Sequence, residues 1–255
     1  MDFLINEQNG VVTFTINREE KRNAVNDEVM DGLQKVITYV KENDHVRFLV
    51  ITGAGDKSFC SGGDLSVFHA LETEEQAFGM LSKMADILYE LATLRVPTVA
   101  LINGAAVGGG CEIATACDFR IIASHAKAGF IQGTLAITSG WGGGTYLFER
   151  GLRHDQALKM LVDAVPYDAQ TLHEIGWAME VYVEGTKEEA LADFIEHMSK
   201  VHPSVHHAYK EIELRKWREK NMYERVMQEV RTCAVLWESK AHHDAVRNFL
   251  TKRKK

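Results

Sequence analysis

The sequence predicts an α/β protein with parallel strand pairing. Three short apolar strands, at 46–52, 97–102 and 119–122, are separated by segments of helical spacing. Such alternation builds parallel sheets, because each helix carries the chain back before the next strand. From Val205 onward the patterning is helical only, which reads as an appendage that covers the core or joins subunits. The 255 residues fit one large domain, or one domain and an appendage, with a well-buried core.

Taken in order, Val11–Ile16 is a β-branched run bounded by Asn9-Gly10 and Asn17-Arg18, hence a strand. A polar loop follows at 19–26. Asn26 stands where an N-cap belongs, ahead of a helix with Val29, Met30, Leu33, Val36, Ile37 and Val40 on one face. After the strand at 46–52 comes Gly53-Ala-Gly55. This could open a dinucleotide fingerprint, but no glycine stands at 58 and no helical pattern follows at once, so a nicotinamide or flavin site is disfavoured. Residues 72–94 are helical in pattern, and Pro97 marks the break into the next strand. Beyond 119–122, residues 128–145 are glycine-rich around Trp141. Helical patterns then occupy 145–149, 155–162, 169–175 and 187–200, and Pro203 gives a break.

Two glycine turns carry the chemical interest. In Asn103–Asp118, NGAAVGGGCEIATACD, Gly108, Gly109 and Gly110 join a strand to a helix start. Glycines there let a ligand reach the backbone, and the helix start offers unpaired N–H groups and a partial positive charge. Such a place suits a phosphate, or an oxygen that becomes negative during a reaction. Close helix-strand packing is the alternative use of such glycines. Glu112, an acid in an apolar run beside those amides, favours chemistry. Phe59–Leu65, FCSGGDL, is the second such turn. Trp141 among its glycines reads as pocket lining or as core packing.

A formal net charge of −7 argues against broad nucleic-acid binding. An anionic ligand would need a local basic cluster, and Arg18, Lys21 and Arg22, or Lys252, Arg253, Lys254 and Lys255, could supply one. Cys60, Cys111, Cys117 and Cys233 form no CxxC pair and read as reduced structural thiols. His206-His207 and His242-His243 lack ligands at zinc-type spacing, so no metal is expected. There is no basic-apolar leader and no run long enough to cross a bilayer, so the expectation is a cytoplasmic protein without membrane contact.

Three stretches together resemble the crotonase (enoyl-CoA hydratase/isomerase) superfamily. They are Asn17–Asn26, Phe59–Leu65, and Asn103–Ala114 with Ala116–Arg120. The likeness runs along the whole chain to Phe249-Leu-Thr-Lys-Arg253. It implies a spiral of ββα units over 1–200, and a helical region at 201–255 that packs subunits into a homotrimer or a dimer of trimers. It also implies an acyl-CoA thioester as ligand, with coenzyme A as part of the substrate and no separate cofactor. The N–H groups of Gly63 and Gly109 would bind the thioester oxygen. Lys21, Arg22 and Ala24 match the segment along the CoA moiety. Ser61, Asp64, Leu65, Thr134 and Trp141 fall on the same site. Phe249 and Lys252 would reach the adenine end of a neighbouring subunit's ligand.

Glu112 matches the first of the two catalytic carboxylates of hydratases. The second is absent: where the family carries an acid, this chain has Gly133 or Thr134. Trp141 with Gly142 and Gly143, together with Thr115–Arg120, looks more like the ethylmalonyl-CoA decarboxylase branch. The resemblance therefore implies a hydratase or isomerase with Glu112 as sole acid/base. Its alternatives are a decarboxylase of a malonyl-type (methylmalonyl or ethylmalonyl) CoA thioester, or an acyl-CoA-binding or scaffolding protein without turnover.

Overall fold

The computed structural model describes residues 1–68 and 70–252, apart from the side chains of Ser66, Leu250 and Lys252. It opens on a hairpin of β1 (Phe3–Gln8) and β2 (Val11–Ile16). Asn9 and Gly10 turn it, both at positive φ, as a two-residue hairpin turn requires. β1 went unread in the sequence because its last five residues are exposed and carry no apolar alternation. α1 (Asp27–Glu42) starts where expected: the Asn26 side chain accepts from Val29 N at 3.0 Å.

A strand, a short strand and a helical segment then recur three times. The first unit is β3 (Phe48–Gly53), β4 (Ser58–Cys60), and the helices α2 (Leu65–Phe68) and α3 (Glu74–Ala92). The second is β5 (Thr98–Ile102), β6 (Ala105–Val107) and α4 (Gly109–Ala116). The third is β7 (Phe119–Ala123), β8 (Lys127–Gly129) and α5 (Gly143–Glu149). There follow α6 (His154–Asp163), β9 (Tyr167–Asp168), α7 (Ala169–Glu174), β10 (Glu180–Tyr182) and α8 (Lys187–Ser199).

The first strand of each unit joins a six-stranded sheet ordered β1-β2-β3-β5-β7-β10, parallel from β2 onward. The second joins a four-stranded sheet, β4-β6-β8-β9. This is a spiral of ββα units, each turn adding one strand to each sheet. The glycine turns lie just past β4 and β6, so the inner sheet delivers both to one edge. Its strands have two or three residues, too few to show a period of two, and the sequence showed them only as loop.

α9 (Pro203–Glu219), α10 (Met222–Trp237) and α11 (Lys240–Lys252) complete the chain. α10 packs along α3, and Trp237 Nε1 donates to the Leu71 carbonyl at 2.7 Å. His242 Nδ1 lies 2.7 Å from the Leu135 carbonyl, which fixes α11 over the 3₁₀ turn Gln132–Leu135. No helix among the described residues is long and apolar enough to cross a membrane.

Asn103, at the end of β5, ties the two sheets together. Its Oδ1 accepts from Gly53 N at 3.0 Å, and its Nδ2 donates to the carbonyls of Gly55 and Ser58 at 2.8 and 3.2 Å. Asn103→Ala strands these buried groups, and should lower unfolding free energy by about 2–3 kcal/mol in urea denaturation; an unchanged midpoint would contradict the assignment.

Candidate active site

A cavity of about 820 Å³ opens between the two glycine turns, residues 131–141, α3, and the ends of α10 and α11. Lys21, Arg22, Ala24, Ser61, Gly63, Asp64, Leu65, Gly109, Glu112, Thr134, Trp141 and Phe249 all line it, so one space gathers these expected residues. Phe249, expected to reach a neighbour's ligand, lines its own chain's cavity. The Lys252 side chain and residues 253–255 lie outside the described residues.

The first turn is held by pairing with the loop before α1. Val25 N donates to the Gly62 carbonyl and Asp64 N to the Val25 carbonyl, both at 2.8 Å. Val25 and Gly63 thus form a parallel bridge in which the N–H of Gly63 takes no part. Asp64 is tied elsewhere. It is buried, and Arg18 donates to its Oδ2 at 2.9 Å and to the Ala24 carbonyl at 2.6 Å.

The second turn heads α4. Gly108 sits at φ 57°, ψ −122°, a conformation open to glycine alone. The first intrahelical bond runs from Glu112 N to the Gly108 carbonyl, so Gly109 N–H has no acceptor within the helix. The two turns abut: a Cβ on Gly62 would lie 3.1 Å from Gly109 N. The Trp141 ring fills the space where a Gly109 side chain would stand, 2.1 Å from that imagined Cβ, and lies 3.7 Å from one on Gly63. It is at once packing and cavity wall.

Glu112, 2 % exposed, projects from the first turn of α4 toward the start of α5. Its Oε2 accepts from Trp141 N at 2.8 Å and Gly143 N at 2.9 Å. Its Oε1 accepts from Gln132 Nε2 at 2.8 Å and Gly140 N at 3.3 Å. Burial, and next the charge of Glu229, push the Glu112 carboxyl up to about 7 against the pull of the backbone N–H groups.

Two of these partners were not legible in the sequence. Gln132 stands in the segment where the family resemblance places a second acid and this chain has none. Glu229 comes from α10. It accepts from Gly144 N at 3.0 Å and from Thr145 N at 2.7 Å, which caps α5 where the N-cap residue Gly142 has no side chain. Among the described residues Glu229 does not line the cavity, and the acids that do, besides Glu112, are Glu20 and Asp64. Thr134 donates to the Ile131 carbonyl at 2.7 Å. Among the described residues no three His, Cys, Asp or Glu come together as a metal site would need.

The family model for enoyl-CoA hydratase/isomerase matches residues 6–255. The chain belongs to that family. It is 33% identical over 184 residues to mouse mitochondrial methylglutaconyl-CoA hydratase, a match covering 72% of this chain and 58% of that protein. To ethylmalonyl-CoA decarboxylase of Xenopus tropicalis it is 32% identical over 186 residues, covering 72% and 61%. The chain thus spans about three fifths of the length of either relative. The crystal structure of an enoyl-CoA hydratase from Bacillus anthracis superposes with a TM-score of 0.80 at 28% identity, covering 99% of this chain and 97% of that one.

Glu112 leaves a signature in stability. Its folded carboxyl holds a proton up to about pH 7, against an ordinary value of 4.5. Between those values the native state binds more protons than the unfolded chain, so stability falls as pH rises and levels off above 7. Glu112→Gln lacks this slope. Its stability relative to the parent protein should rise by about 3 kcal/mol across that window in urea titrations; a difference that does not vary with pH would contradict the burial account.

Proposed function

We propose that the protein processes acyl-CoA thioesters through an enolate. The thioester oxygen lies between the N–H groups of Gly63 and Gly109, and Lys21, Arg22 and Ala24 flank the CoA moiety. What supports this is the abutting pair of glycine turns on one cavity, each with an amide that its own turn leaves unused. Fixed donors of this kind stabilise a developing oxyanion more than a neutral carbonyl, and one of them is worth about 10²–10³ in rate.

Among the reactions that pass through such an enolate, the surroundings of Glu112 favour loss of CO₂ from a malonyl-type CoA thioester. A carboxylate has about four lone-pair positions, and Glu112 receives four N–H donors. An acid's O–H needs one of those positions as much as the proton taken up by a base does, so one donor yields in either role, and the reactions differ in how many proton transfers they ask of this single carboxylate. Decarboxylation requires no base: the electrons of the breaking C–C bond form the enolate, and an acid then protonates the α-carbon. Glu112, poised near neutrality, is that acid. Hydration or isomerisation through Glu112 alone is the second reading. The hydratases among its relatives favour it, and it asks Glu112 alone both to take a proton from water and to deliver one to carbon. Assembly into trimers or paired trimers through 201–255, in the cytoplasm, belongs to the same proposal.

The test is incubation with crotonyl-CoA and, separately, with methylmalonyl- and ethylmalonyl-CoA, with products read by mass. Loss of CO₂ from the malonyl-type esters is expected, with kcat lowered at least about 100-fold in Glu112→Gln and KM changed little. Hydration of crotonyl-CoA alone would establish the second reading. Tight binding of every ester without product would mean a binding protein.

A further inference from the structure

Of the four groups on the Glu112 carboxylate, three are backbone N–H groups whose polarity is fixed. The fourth is the Gln132 carboxamide, which offers a donor at one end and an acceptor at the other. Its Nε2 donates to Glu112, and its Oε1 is buried without a partner among the described residues. An orphaned amide oxygen of this kind calls for an explanation. Rotation by half a turn about the terminal bond exchanges the two ends. Gly108 adds no side chain against the carboxamide: a Cβ there would meet Ile131 Cγ1 at 3.6 Å and Gln132 Cδ at 4.0 Å.

We infer that Gln132 is a positioning residue whose carboxamide reverses with the protonation of Glu112, presenting nitrogen to the carboxylate and oxygen to the acid. Without the reversal, a protonated Glu112 would face four donors and its O–H would have no acceptor. With it, the acid's O–H gains an acceptor in the Gln132 oxygen, and the amide nitrogen takes the place the oxygen held. The other titratable groups acting on Glu112 do not substitute. Cys111 on α4, Tyr146 on α5 and Cys233 on α10 are all pushed upward by burial and stay neutral, and Glu229 on α10 contributes only negative charge.

The inference rests on the reading of Glu112 as proton donor to an enolate. After the substrate's C–C bond breaks and CO₂ leaves, the Glu112 O–H breaks and a C–H bond forms at the α-carbon. The O–H electron pair stays on Glu112, the amide turns its nitrogen to the new carboxylate, and a solvent proton later restores the acid.

Neutron diffraction from deuterium-exchanged crystals, below and above the Glu112 transition, tests it without substrate. Above, both Gln132 deuterons belong on the nitrogen facing Glu112. Below, one deuteron belongs on Glu112 and the amide is reversed. The same amide orientation at both pH values, or an ionised Glu112 at both, overturns the inference. In turnover, Gln132→Leu should lower kcat about tenfold, the effect of one hydrogen bond, with KM within about twofold; unchanged kcat would likewise overturn it. Amide reversal in crystals combined with no CO₂ loss from any malonyl-type ester would sink the reaction reading and leave the structural role of Gln132 standing.

Discussion

Everything at this site depends on close approach without side chains. A Cβ at Gly110 would lie 2.0 Å from the Cys60 carbonyl oxygen, and one at Gly109 2.1 Å from the Trp141 ring. One at Gly143 would lie 2.4 Å from Glu112 Cγ. Real Cβ atoms do not tolerate such distances, so α4, α5 and the β4 turn meet only because these positions are glycine. Their meeting brings the amides of 63 and 109 to one cavity and sets Glu112 among the amides of 140, 141 and 143.

The same packing accounts for the electrostatics. α5 begins on Gly142, which has no cap of its own, and two carboxylates from distant elements serve its first N–H groups. Helix starts favour negative charge, yet Glu112 is buried and faces Glu229, and these effects win: its carboxyl is poised near neutrality rather than fixed as an anion. A catalytic group that must hold a proton at neutral pH needs such a balance between desolvation and donors.

Much of this was legible in the residues. β3, β5, β7 and α1 follow from apolar runs and helical spacing, and Asn26 from its cap position. Gly63, Gly109 and Glu112 followed from the motifs and the family they resemble. The inner strands β4, β6 and β8 were not legible, since a three-residue strand buried under glycine turns carries no periodic signal. Nor were Gln132 and Glu229. Glu229 reaches Gly144 across 85 residues, and nothing local in a helical stretch marks one acid among several as a cap. Gln132 is an uncharged amide in a glycine-rich stretch, and nothing in its type or spacing marks it as a partner of Glu112.

The most direct test of the central claim is a crystal structure with butyryl-CoA, a thioester with neither a conjugated double bond nor a carboxylate to lose. Its thioester oxygen should lie about 2.7–3.1 Å from both Gly63 N and Gly109 N, with the Trp141 ring against the acyl chain. An oxygen bound by neither amide, or by side chains elsewhere in the cavity, would contradict the account.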